Sequence, residues 1–565
     1  MNRRGKLMLT ALAVALMTLA LVPAASRMMA TQDADKRRTV ADAIAWQEAY
    51  LMQPTAAAVE PMLEIEDVWA IEDAREMAEA ELVTGMYNGS DELGFDVQSQ
   101  TFYCTLGVDN GADWPELALR AGGVQGMRVA WVDDYSYDLC EEAVAEGYRY
   151  ELLAYTDTQY AYIGVVFTGL PVVTLHTPSG ITDADTPARA TIAAAGQEAI
   201  SSAALVHLRG GGYQKPIDKW SYRLELHELN AHSGDTRRLE SVLGMEADSD
   251  WLLLANAQDN TTVRNKLAWD IWNDWFGEGE GPLQLQSEMV ELFVNDEYVG
   301  IYQLMQRVQE ERELARIGGS SQTDSVARII SNCNPSTKPL WDLQPEGLSF
   351  LLEYRYEPHG DAQRLFALMK DYAALSQKQE ELQLDDETFA RLALERVDVR
   401  SMMDYILFFH ACQLRDNIGN NIYLFVVRQE DGKMRYLHAP WDMDTAFWVK
   451  PPSEPHNSLR WPDVSMVLPK RMLDLNVGGC REMIWEMWRE KRATILSNEA
   501  IYNRFIEMEA YINASGAYLR ESQKWYGEEK KLNLSELEYY EEQSLGLVEL
   551  VLEDLWPVEG QKLAQ

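Results

Sequence analysis

Four polar residues lie in two loops on either side of a short apolar segment, and their side chains are of the kind that bind metal ions. Asp416 and Asn421 belong to the first loop, and Asp442 and Asp444 belong to the second. Carboxylate and amide oxygens suit a hard cation such as Mg²⁺, which proteins usually bind together with the phosphate groups of a ligand. These residue types therefore predict a site for Mg²⁺ carried on phosphates, provided that the chain brings the two loops together.

The segment between the two loops predicts a β-hairpin. Residues Ile422–Val427 form an apolar run of β-branched and aromatic side chains, and Lys433–Leu437 forms the second strand. Glu430-Asp431-Gly432 supplies the turn between them. Because the strands of a hairpin run in opposite directions, the loop before the first strand and the loop after the second meet at one end.

The order and spacing of these residues are typical of phosphoryl-transfer enzymes. In protein kinases a base Asp follows an Arg, a metal-binding Asn comes five residues later, and a second metal-binding Asp follows a hairpin. Here Arg415-Asp416 is followed at that spacing by Asn421, and Asp442 comes after the predicted hairpin. An Asx-rich turn between a helix and a sheet is the alternative interpretation of the first loop taken alone. The hairpin and the acidic loop behind it favour phosphoryl transfer.

Length, charge and cysteine content set limits on the class of protein. A chain of 565 residues predicts two to four domains, and a hydrophobic content of 47% excludes a wholly disordered protein. The 90 acidic and 50 basic residues give a net charge of −40, which repels nucleic acid and anionic lipid and favours a neutral or basic protein substrate. Five cysteines are too few for a disulfide scaffold, although Cys104 and Cys140 lie in one predicted β region and could pair.

Residues 1–30 are typical of an export signal. Three basic residues precede the apolar run Leu7–Ala25, and small residues that suit cleavage follow it. A run of this length also spans a bilayer, so an uncleaved signal-anchor is the alternative, and we expect membrane anchoring only through this segment. Both interpretations predict that the rest of the chain is secreted or displayed on the cell surface.

The remaining sequence predicts an α+β protein with three further regions. Residues 31–91 are rich in acidic residues and helix formers, for example in Asp73–Leu82, and predict a helical leader. Residues 92–169 alternate apolar and polar side chains between turns, which predicts a small immunoglobulin-like β-sandwich. In residues 170–555 predicted strands come first and helices follow, and this region carries the two loops.

A glycine-rich turn and a nearby lysine could contact phosphate groups. The turn Arg209–Lys215 lies between two predicted strands, and its glycines would let the backbone approach phosphate oxygens. Lys219, just before the second of these strands, could direct its ammonium group to the same phosphates. An ordinary hairpin loop and a solvated lysine are the alternatives.

Taken in order, these motifs resemble the CotH family of secreted or spore-coat atypical protein kinases. The matching segments are Arg209–Gly212, Lys219–Leu226, Leu243–Ala255, Asp259–Ala268, Val290–Tyr302, Arg415–Asp416 with Asn420–Leu424, and Pro440–Phe447. The resemblance implies a divergent two-lobed protein-kinase-like fold over residues 170–555. It also implies ATP and Mg²⁺ or Mn²⁺ as cofactors, and transfer of the γ-phosphoryl group to Ser or Thr of an extracytoplasmic protein.

Carried over residue by residue, the resemblance implies a role for each motif. ATP would be bound by Arg209, Gly210, Gly211 and Lys219, the catalytic residue would be Asp416, and the metal ligands would be Asn421, Asp442 and Asp444. The metal and base positions keep the family pattern, and most of the departures concern the nucleotide side.

Arg-Gly-Gly-Gly replaces Arg-Gly-Asn-Ser, Trp220 replaces a second lysine, and no glutamate stands at an obvious helical position after Asp259 to pair with Lys219. A catalytically inactive kinase-like scaffold that binds the cell envelope or matrix, and a metal-dependent hydrolase, are the alternative functions.

Overall fold

The structure is a computed structural model in which helices and sheets both contribute, so the predicted α+β class is confirmed. It describes residues 36, 38–48, 56–107, 117–133, 141–210, 217–228, 236–277, 281–329, 352–376, 384–417, 420–447, 467–540 and 544–558. The predicted export signal lies outside these ranges. Among the residues within them, no helix is long and apolar enough to cross a membrane.

The chain divides into two units. The first comprises Met1–Gly212, Trp220–Leu253 and Val290–Gly300, and the second comprises Tyr213–Lys219, Leu254–Met289 and Ile301–Gln565. The predicted two-lobed kinase-like arrangement stays a prediction.

The first unit opens with two β-sheets that share one apolar core. Its strands are β1 (Ala57–Ala58), β2 (Glu76–Met77), β3 (Val83–Asn88), β4 (Asp91–Glu92), β5 (Gly94–Asp96), β6 (Thr101–Thr105), β7 (Leu119–Gly123), β8 (Arg128–Trp131), β9 (Arg149–Tyr155) and β10 (Gln159–Thr168). Its helices are α1 (38–48), α2 (Ile65–Ala74) and α3 (Glu141–Ala145). The sheet orders are β1-β7-β3-β4 and β5-β6-β10-β9-β8, with β2 paired to β10. Met86, Phe102 and Leu152 belong to the shared core, so strands of this core begin before residue 92. The immunoglobulin-like assignment of residues 92–169 stays a prediction.

The helix predicted over Asp73–Leu82 is wrong for most of its length. Helix α2 ends at Ala74, and β2 pairs in parallel with β10, with Gln159 opposite Glu76. The guanidinium group of Arg75 donates to the carbonyl oxygen of Thr156, which fixes the chain beside the sheet. Pairing with a distant strand outweighs the helix propensity of this acidic, alanine-rich segment.

Seven strands close into a barrel. They are β11 (Val172–His176), β12 (Thr186–Ala193), β13 (Ile200–Arg209), β14 (Ser221–His227), β15 (Asp250–Leu254), β16 (Ser287–Val294) and β17 (Glu297–Gln306). The order around the barrel is β11-β12-β13-β14-β15-β17-β16. Between β16 and β17, Asn295 and Asp296 both have positive φ, which suits the tight turn of a two-residue hairpin.

The second unit combines a four-stranded sheet with most of the helices. The sheet has the order β19-β18-β20-β21 and contains β18 (Ser325–Ile329), β19 (Leu352–Tyr356), β20 (Ile422–Arg428) and β21 (Met434–Pro440). The helices are α4 (Arg264–Trp275), α5 (Glu310–Arg316), α6 (Ala362–Leu375), α7 (Asp386–Arg396), α8 (Val399–Ala411), α9 (Val467–Asp474), α10 (Cys480–Arg492), α11 (Asn498–Ala514), α12 (Ala517–Tyr526), α13 (Ser535–Tyr540) and α14 (Gly546–Leu555).

Helix α4 is held in place by its tryptophans. Trp269, Trp272 and Trp275 are fully buried, and the rings of Trp272 and Trp275 pack edge-on against Phe408 of α8. The indole N–H of Trp275 donates to Asp404 at 2.9 Å, so the polar edge of the ring is also satisfied. The N-terminal end of α4 is thereby fixed beside the loop that follows β21.

Candidate active site

The β20–β21 hairpin brings the two polar loops together. Ile422 pairs with Pro440 at the last position of the ladder, and the backbone N–H of Trp441 donates to the carbonyl oxygen of Asn421 at 2.9 Å. On the same side, the Nδ2 of Asn421 donates to the Oδ2 of Asp416 at 2.9 Å. The predicted hairpin is therefore confirmed, and its end carries both loops.

Asn417 joins the first loop to the second. Its side chain is fully buried, and its Nδ2 donates to the carbonyl oxygens of Asn421 at 3.1 Å and Trp441 at 2.8 Å. The backbone N–H of Asp416 completes the link by donating to the hydroxyl of Thr445 at 3.3 Å. A buried amide that bridges two carbonyl groups fixes the separation of the loops, because each unmade bond would leave a buried polar group unsatisfied.

The backbone of these loops is strained at the polar positions. Asn421 has φ 52° and Asp442 has φ 56°, and Gln413 and Phe447 at the outer ends of the two loops are also left-handed. Non-glycine residues in this region cost about 1–3 kcal/mol and persist where the surroundings over-determine them, often at functional sites. The strain points to a role that depends on where Asn421 and Asp442 place their side chains.

A buried cluster before and within α4 holds the acidic loop from behind. The Oδ1 of Asn265 accepts from the backbone N–H of Met443 at 2.9 Å. The Nη1 of Arg264 donates to the carbonyl oxygens of Ala446 at 3.0 Å and Phe447 at 2.9 Å. Both residues belong to the segment Asp259–Ala268, to which the family resemblance assigns no role.

Asp259 orients the arginine of this cluster. Its carboxylate is fully buried and accepts from the Nε of Arg264 at 3.1 Å and from the backbone N–H of Arg264 at 2.9 Å. Thr261 adds two further bonds, from its backbone N–H and its hydroxyl. Burial nevertheless raises the pKa of Asp259, because desolvation outweighs the arginine charge.

Negative charge accumulates at the end of the hairpin. Burial, together with the charges of Asp442, Asp259 and Asp416, raises the pKa of Asp444 to about 8. Burial and the charge of Asp442 also raise the pKa of Asp416, against the opposing hydrogen bonds from Asn420 and Asn421. Carboxylates that disfavour one another's ionised form in this way would gain from a nearby cation.

The side chains at this site suit a metal ion whose remaining ligands come from a bound phosphate compound. Among the residues that the structure describes, no group of three or more His, Cys, Asp or Glu side chains is arranged as a metal site. Mg²⁺ is usually held by one or two carboxylates plus the phosphates of a substrate, and not by a cage built wholly of protein. Asp442 or Asp444, with the amide oxygen of Asn421, could hold it in this manner.

Lys219 has a partner that the sequence did not reveal. Its Nζ donates to the Oε1 of Glu521 at 2.7 Å and to the carbonyl oxygen of Ile301 at 2.7 Å, and it lies 4.9 Å from the ring centroid of Tyr302. The other oxygen of Glu521 accepts from the backbone N–H of Ile301 at 2.8 Å. Lys219 is 1% exposed and Glu521 is 0% exposed. The partner carboxylate of Lys219 therefore does not follow Asp259 in the sequence but lies 302 residues from the lysine, on α12.

Electrostatic interactions connect this ion pair to the acidic loop. Burial lowers the pKa of Lys219, while the negative charges of Glu521 and Asp259 act in the opposite direction. Asp259 also contributes to the raised pKa of Asp444. One buried carboxylate thus lies near enough to act on both the lysine and the acidic loop. Helix α12 is tied to the same region, since the hydroxyl of Tyr518 donates to the carbonyl oxygen of Asn260 at 2.6 Å.

The described residues of the glycine-rich turn, Arg209 and Gly210, belong to the first unit. Arg209 ends β13, and Gly210 follows it with φ 109°, a conformation that favours glycine. Gly211 lies outside the described residues. The ATP-binding roles of Arg209, Gly210 and Gly211 stay predictions.

Comparison with known proteins gives one family. The family model described as CotH kinase protein matches residues 206–549, which is more than half of the chain. Curated proteins give no match. The matched range includes both polar loops, Lys219 and Glu521.

Proposed function

Because the chain belongs to the CotH kinase family, a family of atypical kinases, we propose that it transfers the γ-phosphoryl group of ATP to Ser or Thr residues of extracytoplasmic proteins. The observation that carries the proposal is the meeting of Asp416 and Asn421 with the Asp442 loop at one end of the β20–β21 hairpin. Phosphoryl transfer needs mainly positioning and stabilisation of negative charge, and a fixed set of polar side chains supplies both.

Each polar residue has a distinct task in this proposal. Asp416, oriented by the amide of Asn421, accepts the proton of the substrate hydroxyl. Asp442 and Asp444, with Asn421, would hold the divalent cation, and Lys219, oriented by Glu521, would direct its ammonium group to the nucleotide phosphates. Mg²⁺–ATP, when bound, supplies the phosphoryl group and the positive charge that the acidic loop lacks.

The proposal is tested by phosphorylation with purified full-length protein, labelled ATP, Mg²⁺ or Mn²⁺, and a basic Ser-rich protein as acceptor. We expect Asp442→Asn and Asp416→Asn each to reduce labelling by about 100-fold or more, since each removes a group that acts directly on the reaction. Asp431→Asn is the matched control, because Asp431 lies in the turn at the other end of the same hairpin and bonds to Arg435. Equal labelling by wild type and Asp442→Asn would refute the site.

A nucleotide titration separates an active kinase from an inactive scaffold. A ligand that binds only the folded state raises the melting temperature, by an amount set by RT ln(1 + [L]/Kd). We expect ATP with Mg²⁺ or Mn²⁺ to raise it in wild type and to have a smaller effect in Lys219→Met. Absence of any shift up to millimolar nucleotide supports the envelope- or matrix-binding scaffold instead.

The extracytoplasmic location is part of the proposal and is supported by the basic and apolar sequence of residues 1–30. Fusion of this segment to a reporter enzyme that is active only after export tests it directly. Activity of the fusion, together with its loss when three leucines of the apolar run are replaced by arginine, is the expected result.

A further inference from the structure

Helix α2 of the first unit exposes apolar side chains as well as burying them. Val68 and Ile71 face inward and pack with Leu153 and Tyr155. On another side, Ile65 is 49% exposed and Trp69, one turn later, is 56% exposed. Exposed tryptophan and isoleucine side chains that lie next to each other are unusual on a protein surface. Such contiguous apolar side chains often mark sites of interaction.

The charged residues of helix α2 and of its neighbours along the chain are almost all acidic. Residues 60–81 contain nine acidic residues and one basic residue. The exposed acidic residues on and beside the helix are Glu64, Glu66, Asp67, Asp73, Glu76, Glu79 and Glu81. The one arginine, Arg75, donates to the carbonyl oxygens of Thr156 and Ile71 and lies over the ring of Tyr155, so its guanidinium group is already engaged.

The negative charge around Ile65 and Trp69 indicates which kind of molecule could bind this surface. A second copy of the chain would bring the same acidic rim against itself, and anionic lipid or nucleic acid would be repelled. A segment rich in lysine and arginine would instead be attracted, and its cations could approach the face of Trp69, the best aromatic ring for cation–π contacts. Apolar side chains of the same segment would cover Ile65.

We propose that the acidic α2 surface, formed by Ile65 and Trp69 with the carboxylates of Glu66 and Asp73, docks a basic amphipathic segment of a protein partner. Tryptophan is enriched among the few residues that supply most of the free energy of an interface, so Trp69 is the anchor. The carboxylates attract the partner over longer distances, and binding therefore weakens as salt is added. The surface lies in the first unit, outside the residues matched to the kinase family, and the proposal does not depend on kinase activity.

Binding of labelled peptides to the full-length protein, followed by fluorescence anisotropy, tests this. Three peptides of equal length are compared, made of leucine and lysine, of serine and lysine, and of leucine and glutamate. We expect the leucine–lysine peptide to bind most tightly, the serine–lysine peptide at least tenfold more weakly, and the leucine–glutamate peptide not at all. Binding of the first should weaken at least tenfold between 50 and 500 mM salt in such an experiment.

Variants locate the peptide on the protein. Trp69→Ala should weaken binding by about tenfold or more, and Ile65→Ala should weaken it less, in line with the usual distribution of binding energy over an interface. Leu239→Ala is the control, because Leu239 is 71% exposed elsewhere in the same unit. Melting temperatures of all three variants should stay close to that of wild type, since about half or more of each side chain is exposed.

Three results would overturn the proposal. Equal peptide binding by wild type and Trp69→Ala excludes the surface. Light scattering that shows a dimer dependent on Trp69 assigns the surface to a second copy of the chain. A melting temperature lowered by Trp69→Ala but not by Leu239→Ala shows that a segment of the chain itself covers the tryptophan.

Discussion

At the scale of single residues, the ammonium group of Lys219 has little freedom. Two oxygens hold it at 2.7 Å, and the ring of Tyr302 covers another side. Removing both charges from water is costly, and the cost is offset only by good geometry and further hydrogen bonds. The backbone N–H of Ile301 donates one such further hydrogen bond to Glu521 and fixes the orientation of its carboxylate.

Single and double substitutions measure this ion pair. We expect Lys219→Met and Glu521→Leu each to lower the free energy of unfolding by about 3–5 kcal/mol, because each leaves a buried charge without its partner. The double variant Lys219→Met/Glu521→Leu should recover much of that loss, since neither charge is then buried, but should not recover phosphorylation. Chemical denaturation gives the stabilities.

A surface pair supplies the control for this cycle. Lys470 bonds to Asp474 one turn away, and both side chains are about 40% exposed. Lys470→Met should therefore change the free energy of unfolding by less than about 1 kcal/mol. If the double variant at the buried pair is as unstable as the sum of its single variants, the two charges are not coupled.

At the scale of elements, the acidic loop depends on α4. The guanidinium group of Arg264 links Asp259 to two carbonyl groups of this loop, and a lysine could not make all of these bonds. We expect Arg264→Lys to speed amide hydrogen exchange in Met443–Phe447 by at least tenfold and to reduce phosphorylation. Exchange in β20 should be unchanged, because the ladder with β21 remains.

Mass spectrometry of deuterium uptake measures the exchange rate of each element in wild type and in Arg264→Lys. Arg435→Lys is the matched control, since Arg435 lies on the same hairpin and bonds to Asp431 in the turn. Equal protection of the acidic loop in wild type and Arg264→Lys would show that the loop holds its conformation without α4.

An element of the fold can be predicted from the sequence when the residues that define it lie close together in the chain. The β20–β21 hairpin could be predicted because its apolar run and its turn lie within about twenty residues. The place of strand β18 beside β20, by contrast, depends on long-range pairing. Strand β2 was missed for the same reason, since only pairing with β10 keeps Glu76–Met77 out of a helix.

The candidate site shows the same limit. The two loops could be matched by spacing, because a hairpin of fixed length joins them. Glu521 could not be found in this way, since its bond to Lys219 spans 302 positions and a single glutamate in a helix carries no signal of its own. Arg264 and Asn265 lay in a recognised segment, but their bonds to the acidic loop follow from packing.

At the scale of the whole molecule, buried histidines make stability depend on pH. Burial lowers the pKa of His438 to about 3 and holds that of His410 well below its usual value. The backbone N–H of His438 donates to Ser401, its Nε2 lies 3.3 Å from the hydroxyl of Tyr372, and the rings of Tyr372 and Tyr405 lie beside it. None of these neighbours carries a negative charge at neutral pH that would favour the protonated ring.

The sign of the effect follows from the two pKa values of His438. Its pKa in the folded state lies below the unfolded value of about 6.5, so the unfolded chain takes up the proton first as pH falls. The contribution of neutral His438 to the free energy of unfolding is complete above pH 6.5 and is lost progressively between pH 6.5 and about 3. Asp444, whose pKa is raised to about 8, acts in the opposite direction, so the slope of the whole protein does not isolate the histidine.

The difference in unfolding free energy between wild type and His438→Gln isolates the contribution of the histidine. Glutamine keeps a polar group near Tyr372 but cannot be protonated, and it will lower stability at every pH because it fits the ring-shaped space poorly. Below pH 6.5 the gap in unfolding free energy between the two proteins should narrow by about 1.4 kcal/mol for each pH unit, since one proton separates their titrations. Above pH 7.5 the gap should be constant. Guanidinium unfolding at half-unit steps from pH 5 to 8 gives the curve, and a gap that stays constant below pH 6.5 would show that water reaches His438 and protonates it in the folded state.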